Sequence, residues 1–343
     1  MHRAAIIRGD GIGPEISDAA VEVIEASGAR IEWREIAAGQ EAKRRFGSEL
    51  PWGSLEAARA AGVLLKAPLI ADRCSGGIVV ATPGGVRQYP SVNNGLRREI
   101  GAYANLRPVR TWEGVPSHGR FDLVIVREIT EDTYTGIERQ VNEDCAEAIK
   151  RITAPASRRI ARYACEYAVK HGRKKVTAIH KANVLHLTDG LFLRCVAETA
   201  AAYHQLEFDD RMVDAACYLL TKNPEAFDVM VLPNQYGDIV SDLAAGLAGS
   251  LGLAPGANIG EDVAMFEAAH GAAPDIAGKG IANPISLILS GALMLDHLGE
   301  AEAAGRVRRG VAGVLREGRA LTPDLGGSAG TAQITAAIRE AMQ

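Results

Sequence analysis

Two aspartates four residues apart, Asp238 and Asp242, open an Ala/Leu/Gly-rich stretch inside DVMVLPNQYGDIVSDLAAGLAGSLG, residues 228–252. On a helix that spacing puts both carboxylates on one face, one turn apart. Acids also favour a first helical turn simply because they complement the helix dipole. The preceding residues make this pair more specific. Val229-Met230-Val231-Leu232 is a continuous apolar run that reads as a buried strand. Pro233 stops it, and Asn234 to Gly237 is turn chemistry. Carboxylates just past the carboxyl end of a strand lie where open α/β sheets place their ligands. Two that converge there suit a hard cation, Mg²⁺ or Mn²⁺.

Cationic and acid–base groups stand elsewhere in the chain. Arg97, Arg107 and Arg127 offer planar forks that match carboxylates. Arg127 follows the apolar run Leu123 to Val126, so it sits at a strand end. One such arginine is commonly a structural ion pair. Three of them, with a metal-type aspartate pair, suggest a polycarboxylate substrate. Tyr134 lies in E-D-x-Y-x-G, outside any apolar periodicity, and Lys181 ends the strand-like VTAIH. A lysine there is often a plain surface residue; beside a metal it is also a usable base.

The elements that must position these groups alternate between strand and helix, which indicates an α/β fold. Strands are expected near 4–8, 30–36, 62–68, 121–128, 176–181 and 206–214, and helices near 17–27, 155–171, 189–203, 285–298, 300–317 and 330–342. Residues 69–90 read as a glycine-rich loop and 131–140 as irregular. Gly9, Gly11 and Gly13 lack the last glycine of a dinucleotide fingerprint, so a Rossmann site is rejected. Gly13-Pro14-Glu15 is helix-start chemistry instead.

Composition narrows the function classes. Charged residues make up 23% and the net charge is −4, with no long basic run, so nucleic acid is an unexpected partner. No apolar stretch is long enough for a membrane helix. The first apolar run, Ala4 to Ile7, is too short for a secretory signal, and the five scattered cysteines read as reduced thiols. A cytoplasmic protein is therefore expected. No Walker phosphate-binding motif is present.

Taken together, LRPVR (106–110), EDTYTGIE (131–138), HKAN (180–183), NQYGDIVSD (234–242), GSLGLAPGANIG (249–260) and EAAHGAAPDIAGKGIANP (267–284) resemble the β-decarboxylating dehydrogenases. That family comprises the isocitrate, homoisocitrate and 3-isopropylmalate dehydrogenases. The likeness runs from Gly9 to Gly327, nearly the whole chain. It implies a two-domain α/β fold that is not Rossmann despite using NAD. Residues 1–102 and 249–343 would form a large domain with the NAD-binding loop, and 103–248 a small domain with the metal ligands and dimer contact. The active site would lie between them.

The resemblance also implies roles. Asp238 and Asp242 match metal ligands, joined by Asp214 from a second subunit, so a homodimer with shared active sites is expected. Lys181, also from that subunit, matches the group that helps remove the hydroxyl proton. Tyr134 matches the acid that protonates the enolate, and Arg97, Arg107 and Arg127 hold carboxylates. Thr82, His270, Gly271, Ala272, Asp275, Ile276 and Asn283 match cofactor-binding positions. An acid at Asp275 favours NAD, because a carboxylate accepts from the ribose hydroxyls and repels a 2′-phosphate. Ser91 and Asn93 stand where isocitrate enzymes are polar, which points to a tricarboxylate-like substrate. Homoisocitrate, 3-isopropylmalate and a phosphonate analogue such as phosphonomethylmalate are alternatives, as is a non-catalytic regulatory subunit. Two features depart from the pattern. The loop 69–81 is longer, and Gln235 is unusual, expected to point away from the metal pair.

Overall fold

Apolar runs flanked by turn residues become strands, and the amphipathic stretches between them become helices. The structure, a computed structural model, describes residues 1–70 and 77–343. Its described residues fall into two units: Met1–Ala102 with Trp112–Pro116 and Gly249–Gln343, and Tyr103–Thr111 with Ser117–Ala248.

The first unit begins with β1 (His2–Ile7), α1 (Gly13–Ala26), β2 (Ile31–Glu35), α2 (Gln40–Phe46), α3 (Trp52–Ala61) and β3 (Val63–Lys66). A hairpin follows, β4 (Ile78–Thr82) and β5 (Gly85–Tyr89), then α4 (Val92–Glu99). The second unit contains β6 (Ala104–Arg110), β7 (Asp122–Glu128), β8 (Glu138–Asn142), β9 (Cys145–Ala148), α5 (Ala154–Lys170), β10 (Lys175–His180), α6 (Thr188–Ala200), β11 (Glu207–Met212), α7 (Val213–Lys222), β12 (Val229–Leu232) and α8 (Asn234–Leu247). The chain returns to the first unit with β13 (Pro255–Ile259), β14 (Ala264–Ala268), α9 (Ile285–His297), α10 (Ala301–Glu317) and α11 (Thr331–Ala341).

In the first unit the strands run β13-β14-β3-β1-β2, with only the β13–β14 pairing antiparallel. The apolar helix α9 is buried over most of its length and packs on β13 and β14. In the second unit the order is β11-β10-β12-β7-β6, antiparallel only between β6 and β7. Leu123 to Val126 of β7 are fully buried because helices cover both faces. Leu123 and Ile125 join Val240 and Ala244 of α8 in one core cluster. This packing seats α8, and with it Asp238 and Asp242, beside the end of β7.

Several expectations are corrected. The expected loop 69–90 contains the β4–β5 hairpin, closed by Pro83-Gly84; residues 71–76 of the longer loop 69–81 lie outside the described residues. Val80 is buried and Val79 exposed, a period-two alternation masked by the surrounding glycines. The irregular segment 131–140 contains a single 3₁₀ turn, Thr133–Thr135, and the start of the β8–β9 hairpin. Every residue of β8 and β9 is exposed, so neither strand has the apolar face that would mark it in a sequence. The strand expected to 214 stops at Met212, and Asp214 sits in the first turn of α7. Helix α1 starts at Gly13, with Pro14 in its first turn. A side chain on Gly11 would put its Cβ 2.0 Å from the Ala272 carbonyl oxygen, and the Ile12 N–H donates to that same oxygen at 2.9 Å. Gly11 thus permits close backbone packing against the 267–284 loop.

Candidate active site

In the second unit Arg127 leaves the end of β7 and lies beneath α8. Gly237 makes this possible: a Cβ there would fall 2.5 Å from Arg127 Cγ. The Arg127 side chain is only 3% exposed. Its Nε and Nη2 donate to Asn234 Oδ1 at 2.9 and 2.7 Å, and its Nη1 donates to Asp238. The Tyr134 hydroxyl donates to the other Asp238 oxygen at 2.8 Å, and the Arg127 guanidinium lies 5.4 Å from the Tyr134 ring centroid. Burial and the adjacent Asp238 carboxylate push the Tyr134 phenol up to about 12, so it stays protonated at neutral pH.

One turn along α8, Arg107 Nη1 donates to Asp242 Oδ1 at 2.9 Å and to Ser241 Oγ at 2.8 Å, while its Nε donates to Asn105 Oδ1 at 2.9 Å. Both aspartates of the pair are thus matched by arginines expected to face substrate. Asn105, Asn234 and Ser241 escaped the sequence reading, although all three lie in or beside the LRPVR and NQYGDIVSD segments. The Gln235 side chain is engaged within the second unit. It meets Thr133 Oγ1 at 3.3 Å, next to Tyr134.

Lys181 and Asp214 form a separate pair, Nζ to Oδ1 at 2.6 Å. The hydrogen bond from Lys181 holds the Asp214 carboxyl below its ordinary range. Among the described residues no three His, Cys, Asp or Glu side chains gather as a metal site. Asp214 therefore does not join Asp238 and Asp242 within one chain. The two α8 aspartates remain a fitting half-site for a hard divalent ion: both are oxygen donors, and Asp242 is 56% exposed.

The turn carrying Tyr134 is built from buried acids. Asp132 is fully buried at φ 75°, ψ −159°, a region that is nearly glycine-only and costs about 1–3 kcal/mol for other residues. Glu131 accepts from the Thr153 N–H at 2.8 Å and the Thr153 hydroxyl at 2.9 Å at the start of α5. Burial raises its carboxyl from about 4.5 to about 7. The folded chain thus holds this proton more tightly than the unfolded chain. Stability falls as pH rises from about 4.5 to about 7 and is flat above that. Glu131→Gln should match the wild type in acid and become relatively more stable, by about 1–3 kcal/mol, by pH 8. Denaturant unfolding across this range checks it; a stability difference independent of pH would contradict the assignment.

In the first unit Ser91 caps α4, its Oγ accepting from the Asn94 N–H at 3.2 Å, which leaves its hydroxyl hydrogen able to donate to a ligand. Asn93 and Arg97 follow one turn apart on α4. Among the described residues Asn93 Oδ1 and Arg97 Nε are buried without hydrogen-bond partners. The other end of Arg97 pairs with Glu267 at 2.7 Å, and Lys66 holds the second Glu267 oxygen at 2.7 Å. Burial alone would raise Glu267, but Lys66 and Arg97 hold it well below the usual carboxylate range.

The cofactor residues fall on a loop after β14. The His270 Nδ1 lies 3.0 Å from the Gly271 carbonyl, and its Nε2 is buried without a partner among the described residues. Burial lowers its pKa, which favours the neutral imidazole. Gly271 and Ala272 line a groove of about 1060 Å³, ample for part of a dinucleotide. Asp275 is exposed, and Ile276 lies in the turn closed by its N–H to the Ala273 carbonyl at 3.2 Å. Asn283 is already engaged: its Nδ2 donates to Asp324 Oδ2 at 3.0 Å and its Oδ1 accepts from the Ile285 N–H at 3.0 Å. Thr82 closes the hairpin by donating to the Gly85 carbonyl at 2.7 Å.

The chain matches the family described as isocitrate/isopropylmalate dehydrogenase over residues 3–340. It is 47% identical to the isocitrate dehydrogenase [NAD] catalytic subunit 5, mitochondrial, of Arabidopsis thaliana over 337 residues, 98% of this chain and 87% of that one. It is 46% identical to the 3-isopropylmalate dehydrogenase of Archaeoglobus fulgidus over 329 residues, 96% of this chain and 95% of that one. The crystal structure of isocitrate dehydrogenase from Methylococcus capsulatus superposes with a TM-score of 0.93 at 48% identity, covering 100% of this chain and 99% of that one. With catalytic-type side chains grouped on the end of β7, the turn after it and α8, and with this likeness along its whole length, the chain belongs to the isocitrate/isopropylmalate dehydrogenase family.

Proposed function

We propose that this chain oxidatively decarboxylates isocitrate to 2-oxoglutarate with NAD and Mg²⁺ or Mn²⁺. The observation that carries the reading is the Tyr134 hydroxyl bonded to Asp238 at 2.8 Å, a protonated phenol placed against a metal-type carboxylate. Asp238 and Asp242 would hold the metal. When bound, it supplies Lewis-acid polarisation of the oxygen at the substrate's C2. His270, whose Nε2 has no hydrogen-bond partner among the described residues, and the exposed Asp275 would hold the adenosine end of NAD, which when bound would supply the hydride acceptor for C2.

The chain's own groups supply the rest. Arg97, Arg107 and Arg127 bind and orient the substrate carboxylates. Lys181 takes the C2 hydroxyl proton. Loss of the C3 carboxylate as CO₂ leaves an electron pair, and Tyr134 returns a proton to that carbon. Ser91 and Asn93 favour an anionic distal group over an alkyl one. Because Lys181 and Asp214 pair with each other and do not join the α8 aspartates, the working unit in this reading is a cytoplasmic homodimer with shared sites.

A substrate panel with Mn²⁺ tests the proposal using the purified chain alone. Isocitrate should give the highest kcat/KM among isocitrate, homoisocitrate, 3-isopropylmalate and a phosphonate analogue. NAD should be preferred over NADP by at least about 10², from ribose bonding and charge repulsion at Asp275. A preference for isopropylmalate would move the substrate assignment. Equal rates with both cofactors would remove the role of Asp275, and no turnover by the chain alone would favour a regulatory subunit.

A further inference from the structure

Between the acid Tyr134 and the helix that presents Asp238 lies a residue with no assigned part in the chemistry. Asp132 is fully buried, yet its carboxylate makes no contact with any proposed substrate group. One oxygen accepts from the Thr133 N–H at 2.7 Å, at the start of the short turn that carries Tyr134. The other accepts from the Gln235 N–H at 3.0 Å. That amide belongs to the first turn of α8, where backbone N–H groups have no partner inside the helix. One side chain therefore ties the Tyr134 turn to the helix that bears Asp238 one turn later.

The backbone around Asp132 strengthens the tie. Its own N–H donates to the Arg151 carbonyl at 2.8 Å, and its carbonyl accepts from the Thr135 hydroxyl at 3.1 Å. Lys150 Nζ lies 3.7 Å from the carboxylate. Glycine would suit the local φ and ψ, yet an aspartate occupies the position. A strained residue at a functional turn needs a reason, and two convergent amide bonds supply one.

Building on the function proposed above, we infer that Asp132 is a positioning residue that aims the Tyr134 hydroxyl at Asp238. Its work is geometric. It accepts two amide hydrogens, fixes the turn against α8, and transfers no proton.

Glycine and asparagine variants separate this role from general stabilisation. Asp132→Gly removes the strain and both bonds. It should fold, shown by an unchanged far-UV circular dichroism spectrum, and should lose about 10²-fold in kcat with the KM for isocitrate within about threefold, as expected for a misplaced catalytic group. Asp132→Asn, which keeps one acceptor oxygen, should recover part of kcat. In a Tyr134→Phe background Asp132→Gly should cause little further loss, because the group it aims is already gone. Wild-type kcat in Asp132→Gly overturns the inference. So does a loss that multiplies in full with Tyr134→Phe, or one accompanied by an equal rise in KM. If Tyr134→Phe alone keeps wild-type turnover, the role of Tyr134 in the proposed function fails instead.

Discussion

Asp242→Asn should reduce divalent-metal-dependent turnover by about 10³-fold or more, the several kcal/mol that a Lewis acid contributes to a developing oxyanion. The carboxylate is more than half exposed and its arginine partner also bonds Asn105 and Ser241, so the fold should tolerate the change. Asp238→Asn should lose as much activity but behave differently in stability. It weakens the ion pair of Arg127, whose side chain is 3% exposed, while the bonds from Arg127 to Asn234 remain. A loss of about 1–3 kcal/mol is expected, discounted because Asp238 itself is half-exposed. Kinetics at saturating Mn²⁺ with thermal unfolding of both variants checks this. Wild-type turnover that survives excess chelator, or an Asp242→Asn enzyme as active as the wild type, would remove the metal role.

The second large effect concerns substrate choice. Ser91→Leu with Asn93→Leu should lower kcat/KM for isocitrate by about 10³-fold, because a buried anion would be left without its donors. A malate bearing an alkyl group should lose far less. The structure adds a cost that the substitution pattern alone hides. Ser91 caps α4, so the double variant should also lose about 1 kcal/mol of stability. Asp at position 91 keeps the cap while placing a negative charge toward the substrate, and it separates the two effects. A double variant that keeps wild-type efficiency on isocitrate would place the distal-group pocket elsewhere.

What the sequence determined by itself is what local periodicity and motif spacing control. A continuous apolar run bounded by Pro233 is a buried strand in any α/β context, and residues four apart share a helix face wherever the helix lies. The alternation of such elements was sufficient for the α/β class, and the motifs were sufficient for the family. Patterns without a buried face stayed hidden: β8 and β9 are exposed throughout. Only the tertiary structure decided which charges meet. Arg127 reaches Asp238 across 111 positions, Arg107 reaches Asp242 across 135, and Arg97 reaches Glu267 across 170. Strand order and the packing of α8 set those pairings, and no repeat in the chain encodes them. The same holds for Asp132. Its sequence neighbours give no sign of a glycine-type backbone, which persists because amides 1 and 103 residues away converge on one carboxylate.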